Sequence, residues 1–346
     1  MVKSIKKVIF YLCIFSSFFT CAQKSKERTL PKNDAIKKIT IYQEPKNRND
    51  TLKPYLFVPS LSGKNDTIKN KAYYTYIRTS NVQTEFYIED VPPVINSFWG
   101  EITKKDGFGF NGAVPLNSCI LKSGKYKVIG RVYPRYGETG LDFHSYLQME
   151  GYYQEATDWD HPYPMFDIEM PTETRGTHIG NYTRLYQGYP YFELQTEIEV
   201  EVPYELEGWS NSANLKEQEE ESLKKELQER YNQIRILLAK KDTASLRQLV
   251  QEREDLLGTV YYLPEQEKEK RLQEFLDLVA NDEFDIAPYP SEAQILFFAH
   301  GKMVTMVDPI NREGVIRLVN KKDPKDIISL EFRFHRKKLG EKLSVI

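Results

Sequence analysis

The segment Phe192–Val202 constrains the fold most, because apolar or small residues alternate there with polar ones without a break. A period of two places successive side chains on opposite faces of a β-strand, whereas helical spacing would scatter the acidic residues around the axis. Pro203 ends the pattern, since proline cannot donate to a sheet ladder. The segment is therefore predicted to be a strand with one buried face and one solvent-exposed face, the latter carrying Glu193, Gln195, Glu197, Glu199 and Glu201.

Other short strand-like runs recur between residues 38 and 207, and Lys125–Tyr133 is the clearest of them. Strands of this kind separated by turns predict an all-β sandwich domain over residues 38–207. The run Leu121–Tyr126 carries a Ser-Gly turn and leads into an alternating strand. It resembles the late hairpin of immunoglobulin-like extracytoplasmic modules, and this resemblance implies an immunoglobulin-like sandwich.

The pattern changes after a linker at residues 208–214, where apolar residues recur every three or four positions. This spacing predicts helices between residues 215 and 280. Asp242 is expected to cap the second helix and Gly258 to end it, while Pro264 is expected to start the third. The stripe that defines the first helix consists of Leu223, Leu227, Tyr231, Ile234 and Leu238.

Strand-like alternation returns over residues 293–346, and Ile327–His335 is predicted to be a single strand within an antiparallel sheet. Three helices followed by such a sheet predict an α+β domain over residues 215–346. The order of elements resembles, in layout, the cystatin-like cone of the nuclear-transport-factor superfamily. That fold hosts both enzymes and binding modules, so the resemblance implies no particular function. At ~100–200 residues per domain, two domains also fit the length of 346 residues.

Residues 1–22 are predicted to be a signal peptide, because lysines precede an apolar run shorter than the ~20 residues that span a bilayer. Phe18-Phe19-Thr20-Cys21 resembles a bacterial lipobox, which implies lipidation of Cys21 and a membrane-anchored envelope lipoprotein, facing the periplasm or the cell surface. Cleavage after Ala22 would instead give a soluble product. Residues 23–37 are polar and are expected to form a flexible tether.

Composition excludes several classes of protein. The 48 Lys and Arg residues nearly balance the 50 Asp and Glu residues, which argues against a nucleic-acid-binding protein. Three cysteines cannot build a disulfide scaffold, and Cys119 is expected to be a buried structural residue. Phosphate loops, HExxH, CxxC and GxSxG motifs are absent from the sequence, so no catalytic residue and no cofactor is predicted.

The region around residues 152–166 carries the candidate recognition surface, because tyrosine and tryptophan offer large contact areas with little rotamer entropy. These aromatic residues could instead pack beneath the loop. Asp158, Asp160 and His161 are weak metal-ligand candidates, since their spacing matches no known metal motif. The candidate surface consists of Tyr152, Tyr153, Trp159, Tyr163 and Phe166.

These observations favour a non-enzymatic envelope lipoprotein that binds a protein partner, as immunity and assembly lipoproteins do. The alternative is a carbohydrate-binding or hydrolytic envelope protein that uses the loop at residues 152–166 and Trp159. A third hypothesis places a small-molecule site in the C-terminal part, although its most regular strand presents only apolar residues on one face: Ile328, Leu330, Phe332 and Phe334.

Overall fold

The computed structural model describes residues 55–61, 67–95, 109–135, 137–174, 182–184, 186–290, 292–308 and 312–346. The predicted signal peptide, the predicted lipidation site Cys21 and the predicted tether lie outside these residues. The described chain is mostly β, with several antiparallel sheets and three helices in its C-terminal region. None of the helices within these ranges is long and apolar enough to cross a membrane.

Two four-stranded sheets form the N-terminal part. In the first, the strand order is β1-β10-β5-β3, and in the second it is β4-β2-β6-β7. Two short strands, β8 and β9, pair separately. The bounds are β1 Tyr55–Phe57, β2 Lys71–Ser80, β3 Gln83–Ile88, β4 Asn111–Pro115, β5 Gly124–Tyr133, β6 Tyr146–Glu155, β7 Tyr163–Glu169, β8 Thr172–Thr174, β9 Tyr182–Arg184 and β10 Phe192–Val200.

The inner faces of these two sheets share one hydrophobic core. Alternation along each strand supplies that core, with Ile77 and Met149 from the second sheet and Val128 and Leu194 from the first. The sheets approach closely at Gly130, where a β-carbon would lie 2.6 Å from the Met149 sulfur. A side chain at this position would therefore push the two sheets apart.

The predicted alternation of β10 is confirmed, but the expectation that its acidic face is fully exposed is wrong at Glu193. This side chain is buried and lies 3.1 Å from Arg131, which is its directly paired neighbour on β5. Arg131 also lies 3.8 Å from Glu85 on β3. A buried carboxylate needs such a partner, and only strand pairing could show that an arginine faces it.

The three helices are α1 Glu220–Lys240, α2 Thr243–Val260 and α3 Glu265–Ala280. The predicted stripe of α1 is buried throughout, and residues 215–217 form a separate 3-10 turn before it. The Asp242 carboxylate caps α2 by accepting from the Ser245 N–H. However, α2 runs past Gly258, because Gly258 has helical neighbours on both sides and the chain turns only at Tyr262, whose φ is 55°.

The C-terminal strands form two sheets rather than one, with orders β11-β14-β15 and β12-β13-β16-β17. The predicted single strand Ile327–His335 is divided between them, since β15 pairs with β14 and β16 pairs with β13. The alternating apolar residues of this segment nevertheless all pack in the same hydrophobic core as the three helices. The bounds are β11 Phe284–Ile286, β12 Gln294–Phe298, β13 Met303–Val307, β14 Ile316–Asn320, β15 Ile327–Leu330, β16 Phe334–His335 and β17 Ser344–Val345.

Specific hydrogen bonds join the N-terminal sheets to the C-terminal part. The Asp90 carboxylate accepts from the His300 N–H at 2.5 Å, and the Tyr262 hydroxyl donates to the Lys71 carbonyl at 3.2 Å. Because Tyr262 lies between α2 and α3, the second bond fixes the start of α3 beside β2. This placement creates the site described below.

Buried His335 is expected to make the stability of the fold sensitive to pH. Its Nδ1 lies 2.8 Å from the Ser212 hydroxyl and its Nε2 lies 3.2 Å from the Glu252 carboxylate, while Lys337 also contacts Glu252. Burial lowers the pKa of His335 below its ordinary value, and Glu252 only partly opposes this effect. Just below the ordinary pKa of ~6.5, the unfolded chain therefore binds more protons than the folded chain does. The free energy of unfolding consequently falls as the pH drops through that value.

We therefore expect the free energy of unfolding to decrease between pH 7.5 and 5.5, and to decrease less in a His335→Gln variant. Urea denaturation of both proteins at pH 7.5 and pH 5.5 measures how much the free energy of unfolding decreases in each. His161→Gln is the matched control, because His161 is exposed. An equal decrease in the wild type and in His335→Gln would show that His335 does not cause the pH dependence.

Candidate functional site

The outer face of the second sheet carries a cluster of tyrosines. Tyr74 and Tyr76 are two residues apart on β2 and therefore share a face, and Tyr152 on β6 is paired directly with Tyr74. The Tyr74 and Tyr152 rings stack with centroids 5.6 Å apart, and Tyr76 meets both rings edge-on. Burial raises the pKa of Tyr74 and Tyr152, so both phenols remain neutral hydrogen-bonding groups at physiological pH.

Trp159 extends this cluster from the loop after β6. Its ring centroid lies 6.3 Å from that of Tyr74, and 47% of the residue is exposed. The Asp158 carboxylate orders the loop, because it accepts from the Asp160 N–H at 3.0 Å and lies 2.8 Å from His161 Nδ1. These two hydrogen bonds lower the pKa of Asp158. The loop thus holds an exposed indole in a defined position.

A cleft of about 140 Å³ separates this aromatic face from the start of α3. An engineered protein cavity of roughly 150 Å³ holds benzene, so the cleft has room for one ring-sized group. The sheet side is lined mainly by Ala72, Tyr74, Tyr76, Pro115, Gln154 and Trp159, and the helix side by Tyr261, Leu263, Glu267, Lys270, Arg271 and Glu274.

Gln154 gives this cleft an unsatisfied polar group. The residue is fully buried, and its side-chain oxygen accepts from the Tyr74 hydroxyl at 3.0 Å. Its side-chain nitrogen has no hydrogen-bond partner among the described residues. Rotating the amide by 180° would exchange the two atoms and leave the oxygen unpaired instead. Because a buried amide without a partner costs roughly 1–3 kcal/mol, a ligand or water that completes it would be favoured.

The helix side of the cleft presents two acidic and two basic residues, so its formal charge is zero. Lys270 lies 3.8 Å from Glu267 on the same helix. Arg271 is held by Glu254 of α2 at 2.8 Å. The helix side therefore presents hydrogen-bond donors and acceptors to the aromatic face in similar numbers.

A hydrogen-bonded set of polar side chains continues the same sheet face beyond the tyrosines; we call it the polar ladder. It comprises Arg78, Tyr146, Gln148, Glu150, Asp167 and Glu169. The Glu150 carboxylate accepts from Arg78 at 2.7 Å, from Gln148 at 2.9 Å and from the Tyr152 hydroxyl at 3.2 Å. These mutual bonds fix the side chains in place before any ligand arrives.

The structure divides the recognition residues proposed from the sequence. Tyr152 and Trp159 lie at the aromatic face. Tyr153 and Phe166 are buried on the opposite face of the sheet, and Tyr163 stacks on Tyr153 with centroids 5.4 Å apart. The reason is the two-residue period of a strand, which sends neighbours such as Tyr152 and Tyr153 to opposite faces.

The other chemical candidates do not line the cleft. Asp158, Asp160 and His161 form the loop contacts given above, and the described residues contain no group of three or more metal-ligating side chains. Cys119 is buried, and burial raises the pKa of its thiol to about 12. This thiol is therefore protonated and a poor nucleophile at physiological pH.

Sequence reasoning missed Tyr74, Tyr76 and Gln154. The two tyrosines alternate within the run at residues 73–76, so the strand pattern contained a signal for them. No local signal connects Gln154 or the charged residues of α3 to this face, because helix and sheet meet only in the tertiary structure.

Comparison with known proteins gives no match. No protein-family model matches the chain, and no curated protein or solved structure is significantly similar to it. The function can therefore be inferred only from the residues of the site.

Proposed function

We propose that this chain is a non-enzymatic recognition protein that binds a partner by taking one ring-sized group into the aromatic cleft. The observation that carries the proposal is the exposed Trp159 beside a cleft with a buried, unsatisfied Gln154. Exposed tryptophan and tyrosine around a pocket are typical of the few residues that dominate binding energy at interfaces.

The charged residues of the cleft also support binding rather than catalysis. Lys270 is close to Glu267, and Arg271 is engaged by Glu254, so these cations are held in ion pairs on the helices. Such fixed charges can orient a ligand and reject competitors of the wrong charge.

The finer architectural and cellular assignments belong to the same proposal. The immunoglobulin-like description is supported by the two four-stranded sheets of the N-terminal part. The division at residues 208–214 is supported by a cluster of buried residues that lies wholly after this linker, while the N-terminal core also takes in Phe298, Met303 and Ile346. Export to the bacterial envelope and lipidation at Cys21 are supported by the N-terminal sequence. An anchored recognition protein would present the cleft to the periplasm or to the cell exterior.

The sequence favoured a protein as the partner, with carbohydrate as the alternative. A protein would insert an aromatic or arginine side chain, and a carbohydrate would insert a sugar ring. Both hypotheses place the partner beside Trp159, so one experiment can test the site before the partner is known.

A photo-cross-linking amino acid at Asp160, which is exposed and next to Trp159, should give ultraviolet-dependent adducts in the native host. The same amino acid at Ile236, which is exposed on α1, is the matched control. We expect adducts from position 160 only, and their loss when Trp159→Ala is added. Mass spectrometry identifies the adduct as protein or glycan. Equal labelling from positions 160 and 236 would refute the proposed site.

A further inference from the structure

We infer that the partner group is a neutral oligosaccharide, bound along the outer face of β2 and β6 from the cleft to the polar ladder. This inference rests on the proposed function and names the ligand class for the same site. It depends on the combination of aromatic rings, planar polar groups and charge along one continuous face.

The aromatic end of the face provides flat surfaces for the apolar faces of sugar rings. Tyr76 is 40% exposed and Trp159 is 47% exposed; both lie next to the buried Tyr74 ring and both line the cleft. Each can therefore contact a ring that enters the cleft. Gln154 supplies the buried amide that a sugar hydroxyl can satisfy, because a hydroxyl both donates and accepts.

The polar end provides planar hydrogen-bonding groups at fixed positions. Arg78 contacts both Gln148 at 3.0 Å and Glu150 at 2.7 Å, and Gln148 also donates to Asp167 at 3.1 Å. Because these amide, carboxylate and guanidinium groups are already held in place, binding a hydroxyl costs little further side-chain conformational entropy.

The distribution of charge along this face disfavours an anionic ligand. The ladder contains one arginine, Arg78, and three carboxylates, Glu150, Asp167 and Glu169, so it disfavours an anionic ligand. The cleft has a formal charge of zero on its helix side, because Glu267 and Glu274 balance Lys270 and Arg271, so it adds no net attraction for a charged ligand. A neutral polyol meets donors and acceptors at both ends and no repulsion at either.

The length of the face indicates a chain rather than a single sugar. Tyr74 and Arg78 are four residues apart on β2, which corresponds to about 13 Å at ~3.3 Å per residue. A single ring would fill the cleft but would not reach the ladder. Longer oligosaccharides should therefore bind more tightly than the corresponding monosaccharide.

Isothermal titration calorimetry with cellotetraose, laminaritetraose, mannotetraose and tetra-N-acetylchitotetraose tests the inference on the mature chain. We expect at least one of these to bind, at least about tenfold more tightly than its monosaccharide, with affinity unchanged up to ~500 mM salt. Trp159→Ala should reduce affinity at least about tenfold. Asp167→Ala should weaken tetrasaccharide binding while leaving monosaccharide binding unchanged. Leu339→Ala, an exposed residue of the C-terminal part, is the control.

Failure of this inference can be distinguished from failure of the proposed function. If none of the tetrasaccharides binds and the adduct from position 160 is a protein, the cleft is a protein-binding site and the inference is overturned. Salt-sensitive binding of tetragalacturonate or of polylysine, in place of the neutral sugars, would overturn it as well. If position 160 gives no specific adduct and no sugar binds, both proposals fail.

Discussion

Replacement of Glu254 by alanine is expected to destabilise the protein by about 3–5 kcal/mol. The substitution removes one partner of a buried ion pair and leaves the opposite charge buried. The Glu254 side chain is 7% exposed and lies 2.8 Å from both Arg253 and Arg271. Burial alone would raise the pKa of Glu254, but the two guanidinium groups outweigh burial and lower it. Without the carboxylate, two mostly buried cations would lack their shared partner.

Urea denaturation of Glu254→Ala and Glu254→Gln at neutral pH measures this effect, and the glutamine variant preserves the shape of the side chain. The control is Glu269→Ala, which removes an exposed pair with Arg247 and should cost far less than the loss at Glu254. Similar losses for the variants at Glu254 and Glu269 would show that burial does not matter there. Because the pKa of Glu254 is lowered by folding, its contribution should disappear as the pH falls below the ordinary value of ~4.3.

The same ion pair connects stability to the proposed site, since Arg271 lines the cleft. Glu254→Gln should therefore weaken ligand binding even under conditions in which the variant is fully folded. Glu269→Ala should leave binding unchanged.

The second large effect is expected for Tyr231→Ala, with a loss of about 4–6 kcal/mol from the cavity and from unpaired polar groups. Tyr231 on α1 is 1% exposed, and its ring meets Phe334 edge-on with centroids 5.1 Å apart. Its hydroxyl donates to the Phe332 carbonyl at 3.0 Å and accepts from the Met306 N–H at 3.1 Å. One side chain thus joins a helix to two strands.

Tyr231→Phe separates the two contributions to this loss. The Phe332 carbonyl keeps the Thr305 hydroxyl as a donor, whereas the Met306 N–H loses its side-chain acceptor, so a loss of roughly 1–3 kcal/mol is expected. Ile236→Ala, on the exposed face of the same helix, should change stability by at most ~0.5 kcal/mol. Denaturation curves of the three variants test these values. A loss for Tyr231→Ala no larger than that for Ile236→Ala would contradict the packing described.

Local patterns in the sequence were sufficient to predict the elements that bury one regular face. The stripe of α1 and the alternation of β10 are both present in the structure, because periodicity alone decides which residues of an element share a face. The buried Glu193 and the division of Ile327–His335 between two sheets were not predictable. Both depend on which strand lies alongside, and a single sequence does not contain that information.

The site was only partly predictable for the same physical reason. The sequence by itself determined the most regular strands, the three helices and the presence of Tyr152 and Trp159 in one aromatic region. Only the tertiary structure decided that Tyr74, Tyr76 and Gln154 join them, and that α3 covers the face with a balanced set of charges. Side-chain periodicity is a property of neighbouring residues, whereas a cleft between a sheet and a helix depends on contacts between residues more than 100 positions apart in the chain.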